Sequence, residues 1–125
     1  MALTGHINDR RDAVVLLDVL GGEDASEQVE AVLDTGFDGD LTLPPEAIVG
    51  LRLKFQGARE TMVGDGRIVP LRIYRARVSW DGRERPVQVL MVPRGKALFG
   101  MGLLWNHDVQ LSIADGGSVT IEGLP

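Results

Sequence analysis

The chain has 125 residues, 44% hydrophobic and 25% charged, a formal net charge of −5 and no cysteine. That is the size and balance of a single globular domain spanning residues 1–125, and it excludes a disordered chain, disulfides, thiolate metal sites and a cysteine nucleophile. Sixteen glycines, about twice ordinary usage and without a period, predict many tight turns and hence many short strands.

Residues 1–12 contain no apolar core of signal-peptide length. The apolar run at 13–17 is far shorter than the ~20 residues needed to cross a bilayer, so a soluble, cytoplasmic protein without a membrane partner is expected. Residues 13–20 are β-branched and leucine-rich and end at Gly21-Gly22. After the polar loop 23–26, residues 27–33 place Val29, Ala31 and Leu33 on one face and Gln28 and Glu30 on the other, the period-2 alternation of a strand. The two segments read as a hairpin. Pro44-Pro45 before an apolar stretch and Gly50 after it predict a short helix.

Segments 58–63 and 67–80 flank Gly64-Asp65-Gly66 and read as a second hairpin, and Asp81-Gly82 is a type I′ turn signal leading into a strand at 86–92. Residues 101–106 are apolar and suit one or two helical turns. A last hairpin joins 109–113 to 118–121 through Asp115-Gly116-Gly117. The whole reads as mostly β, with turns at the spacing of a barrel or sandwich. Charge is unevenly placed. Between residues 50 and 96 lie eleven basic and four acidic residues, +7 net, and the remainder of the chain is −12. The overall negative charge argues against nucleic acid as a partner. The basic segment is either a solvated face or a surface that favours acidic peptides.

The segment richest in chemistry is Leu33-Asp34-Thr35-Gly36-Phe37. A strand that delivers an aspartate into a glycine holds the carboxylate still, and the glycine lets the backbone turn its N–H back towards it. About sixty residues downstream stands Leu98-Phe99-Gly100, followed by Met101-Gly102-Leu103-Leu104, and the hairpin with tip 63–67 lies between. This order resembles the retropepsin-like aspartic proteases, and Asp-Thr-Gly-Phe followed by Leu41-Thr42-Leu43-Pro44 looks most similar to their small prokaryotic, single-lobe members.

The resemblance implies an all-β, retropepsin-like closed barrel, the single-lobe acid protease fold, with one or two short helices. It implies an aspartic endopeptidase acting on peptide or protein substrates without cofactor or metal. Asp34 is then the catalytic aspartate, Thr35 a grip across a dimer, and Gly36 the donor to the catalytic carboxylate. Val63, Gly64, Asp65 and Gly66 form the flap over the substrate, and Leu98, Phe99 and Gly100 support the active-site loop. Three departures stand out, the first a flap tip with one acidic residue between two glycines in place of a glycine-rich run. Phe37 lacks a hydroxyl that could reach the aspartate, and Met101 replaces the usual arginine, removing an ion pair.

Hydrolysis by this route needs two adjacent carboxylates that share a proton, since both cannot ionise at that distance. The chain has one Asp-Thr-Gly and no Asp-Ser-Gly, so it holds half a site, and a homodimer is expected to complete it. A catalytically silent peptide-binding or scaffold domain of the same fold is the alternative. Asp34, Asp38 and Asp40 fail as a calcium loop because Gly36 stands at the third position and Pro45 at the twelfth. His6 and His107 match no metal-ligand spacing. The four serines lack a nucleophile-elbow context.

Overall fold

The computed structural model describes residues 2–125. In chain order its elements are β1 (Ala2–Ile7), β2 (Ala13–Leu20), β3 (Ser26–Leu33), β4 (Leu41–Leu43), α1 (Pro45–Gly50), β5 (Lys54–Met62), β6 (Ile68–Trp80), β7 (Arg83–Met91), β8 (Ala97–Phe99), α2 (Met101–Leu104), β9 (His107–Leu111) and β10 (Ser118–Gly123). Every strand and helix expected from the sequence is present, with shifted ends. Three strands were not anticipated at full extent: β1 and β4 are additional, and β5 begins at Lys54 rather than 58.

The strands form one sheet in the order β5-β6-β7-β4-β8-β3-β2-β1-β10-β9, and a further pairing of β6 with β2 closes six of them into a barrel. The closure is short, Val19 opposite Val78 and Leu20 opposite Arg77. Alternation explains the barrel's interior. In β2, Val15, Leu17 and Val19 point inward and are buried, and in β6 the inward row is Ala76, Val78 and Trp80. Phe99 of β8 is fully buried and meets Trp80 edge to face at 6.1 Å, the geometry aromatic rings favour. α1 adds Ala47 and Ile48 to this core, and Leu103 and Leu104 of α2 plug it from the other side.

Two pairings are parallel, β3 with β8 and β4 with β7. They matter for the site because parallel neighbours end side by side. Leu33 is opposite Phe99, so the chain leaves β3 at Asp34 beside the point where it leaves β8 at Gly100. β5 and β6 extend beyond the barrel as a long hairpin, registered from Lys54 opposite Arg75 to Met62 opposite Ile68.

Candidate active site

Asp34, Thr35 and Gly36 follow β3 directly in one tight turn. The Asp34 N–H donates to the Phe99 carbonyl at 3.0 Å, and the Phe37 N–H closes a tight turn on the Asp34 carbonyl at 3.2 Å. Within that turn the Gly36 N–H donates to Asp34 Oδ1 at 2.8 Å. The carboxylate is thus fixed by its own loop through one oxygen. Oδ2 makes no hydrogen bond with any described residue. Asp34 is half-buried, whereas Thr35 and Gly36 are exposed, and the Thr35 hydroxyl has no partner among the described residues.

The loop that follows is tied to the start of α2. Gly100, Met101 and Gly102 donate their N–H groups to the carbonyls of Asp40 (3.0 Å), Phe37 (2.8 Å) and Gly39 (3.0 Å). A helix start leaves such donors without intrahelical partners, and here they hold the active-site loop. The contact requires glycine: a Cβ on Gly100 would stand 2.3 Å from the Phe37 carbonyl oxygen, and one on Gly102 would stand 2.1 Å from Asp40 Oδ1. Phe37, which cannot replace a hydroxyl beside the aspartate, instead lays its ring over Gly39 and Gly100. Phe99 and Gly100 therefore lie against the loop, and Leu98 stands beside Val32 of β3 just ahead of it.

Four supporting residues were not singled out by sequence. Asp40 accepts the Gln88 N–H through Oδ2 at 2.9 Å, joining the loop to β7. Thr42 is buried, and its hydroxyl accepts the Leu98 N–H at 2.9 Å. Arg85 of β7 donates to the carbonyls of Gly102 (2.7 Å) and Leu103 (3.0 Å) at the end of α2. Arg59 of β5 meets both oxygens of Asp38 at 3.2 and 3.3 Å, linking the long hairpin to the loop after Asp34. A threonine between two leucines and an aspartate after Gly39 were the available signals; Arg59 and Arg85 carry none that is local.

The hairpin tip is ordered by its own residues. The Gly66 N–H donates to the Val63 carbonyl, and Gly66 takes φ +85°, which glycine adopts without strain. Asp65 accepts from the Arg67 N–H at 3.0 Å and pairs with the Arg67 Nε at 2.6 Å. Val63, Gly64, Asp65 and Gly66 form one turn, separate from the Asp34 loop in sequence and connected to it through Arg59. His107 lies elsewhere, accepting from Trp80 Nε1 at 3.0 Å and donating through Nδ1 to the Trp105 carbonyl at 2.8 Å, an arrangement that packs Trp80. No group of three or more metal-ligating side chains occurs among the described residues, and no helix among them is long and apolar enough to cross a membrane.

No family model and no curated sequence matches the chain. Among solved structures it is similar to a retropepsin-like aspartic protease from Rickettsia conorii, with TM-score 0.60 and 16% identity over 98% of this chain and 92% of that one. It is also similar to EIAV protease complexed with the inhibitor HBY-793, with TM-score 0.59 and 16% identity over 74% of this chain and 85% of that one. The closed six-strand barrel with two short helices, with the aspartate loop braced by β8 and α2, is the retropepsin-like aspartic protease fold.

Proposed function

We propose that the chain is one subunit of a homodimeric aspartic endopeptidase that hydrolyses peptide bonds. The observation that carries this reading is the Asp34 carboxylate, held through Oδ1 by the Gly36 N–H in a rigid loop with Oδ2 unclaimed. One such carboxylate is half a catalytic pair, and a two-fold axis beside the loop supplies the other. The two Asp34 side chains then share a proton. The ionised one takes a proton from a water lying between them, and the water oxygen attacks the peptide carbonyl carbon. The protonated one donates to the carbonyl oxygen, giving a tetrahedral diol. The carboxyl that took the water's proton then gives it to the amine nitrogen, the other carboxylate regains its proton from a diol hydroxyl, and the C–N bond breaks to leave a carboxylic acid and an amine. Thr35, exposed with an unpartnered hydroxyl, meets its counterpart across the axis. The hairpin tip from Val63 to Gly66 closes over the peptide.

Asp34→Asn tests the assignment. The asparagine carbonyl still accepts from Gly36, so thermal stability stays within about 0.5 kcal/mol. Hydrolysis of a diverse peptide library falls by about 10²–10⁴-fold. A wild-type protein that binds peptides and cleaves none between pH 3 and 8 supports the silent binding domain instead.

A further inference from the structure

Of the eleven basic residues between 50 and 96, Arg59 and Arg85 brace the Asp34 loop and α2, and four others converge at one place. Lys54 stands directly opposite Arg75 at the base of the β5–β6 hairpin. Arg52, Arg77 and Gln56 join them around a half-open cavity of about 300 Å³ walled by Gly21 and Gly22. Two of these cations are already satisfied. Arg52 pairs with Glu23, and Arg77 binds Glu84 at 2.8 Å and the Gly21 carbonyl at 3.2 Å. Lys54 and Arg75 form no ion pair with any described residue.

We propose that this cavity is an exosite that binds acidic segments of protein partners. Like charges directly opposite on neighbouring strands destabilise a sheet, and a bound carboxylate row removes that cost. The strand is shaped around the cavity: β5 bulges between Phe55 and Gly57, leaving Gln56 unpaired on its rim, and such irregularities often re-aim a side chain for a purpose. The lining favours an extended acidic segment over a lone phosphate. A phosphate site usually offers clustered backbone N–H groups. Here the Gly21 and Gly22 N–H groups are consumed by the carbonyls of Ala25 and Leu51, leaving long, spread side chains as the donors. Lys54 lies at the opposite end of β5 from the hairpin tip, about 27 Å along an extended strand. A segment held there lies clear of the hairpin tip and raises the local concentration of whatever chain it belongs to.

Fluorescence anisotropy with a labelled oligoglutamate peptide tests the exosite on the intact protein. Wild type binds, and added salt weakens the binding. Lys54→Glu weakens it about tenfold or more while raising the thermal midpoint, because a repulsive pair becomes an attractive one. These opposite signs separate a lost ligand contact from a damaged fold. Arg94→Glu, which changes net charge equally on a loop outside the cavity, leaves binding unchanged. The proposal is overturned if the peptide does not bind, if Arg94→Glu weakens binding as much as Lys54→Glu, or if inorganic phosphate displaces the peptide at equal concentration.

Discussion

Gly100 has no room for a single methyl group, and the active-site loop depends on that. An added Cβ would press on the carbonyl oxygens of Phe37 at 2.3 Å and Gly39 at 2.8 Å, two of the acceptors that keep the loop against α2. Gly100→Ala therefore costs about 1–3 kcal/mol or more by urea denaturation. Gly64, with nothing within 4 Å of an added Cβ and no left-handed φ, tolerates alanine within about 0.5 kcal/mol. At this scale the sequence was legible where a short motif carries its own geometry: the Gly36 N–H turns back to the Asp34 carboxylate, as an aspartate running into a glycine allows. It was silent on Asp40 and Thr42, because their importance comes from partners 48 and 56 residues away. Phe37 shows the limit most clearly. The missing hydroxyl was readable; that the ring would cover Gly39 and Gly100 depends on the path of the whole loop.

Among the elements, α2 connects barrel and site. Four residues are too few for a helix to stand on propensity, and its ends are held from outside. The active-site loop takes its first donors, and Arg85 takes two of its last acceptors. A lysine at 85 keeps the charge without the fork that serves two carbonyls. Arg85→Lys accordingly loses about 1–3 kcal/mol, and susceptibility of the 34–40 loop to proteolysis rises with it. The Arg59–Asp38 pair is solvent-exposed, with side-chain accessibilities of 41% and 82%, and contributes about 0–1 kcal/mol. Longer strands were readable from alternation. β4 was not, since three residues, all buried, show no period. β1 was hidden by Gly5, whose absent side chain allows β2 to pass: a Cβ there would stand 2.0 Å from the Val14 carbonyl oxygen. The bulge at Phe55–Gly57 broke the alternation that would have extended β5 to Lys54.

For the molecule as a whole, the barrel is complete and the proposed catalytic centre is half of one. β1 is paired on both sides, by β2 and β10, and β10 by β1 and β9, so among the described residues only β5 and β9 offer free edges within the sheet. Thr35 is exposed, with no hydroxyl partner among the described residues, and in the proposed dimer its value lies in the second copy. Thr35→Val leaves monomer stability within about 0.5 kcal/mol and raises the dimer dissociation constant, read by sedimentation velocity across a concentration series. The single Asp-Thr-Gly was countable from sequence, which is why a second copy was expected from the chain alone; which strands keep free edges depends on how the barrel closes. The central claim, that two chains make one site, is tested most directly by mixing wild type with Asp34→Asn at fixed total concentration and measuring peptide hydrolysis. Shared sites lose activity as the square of the wild-type fraction, leaving about a quarter at equal mixing. A linear decline to half, or no hydrolysis by wild type at any concentration, contradicts the account.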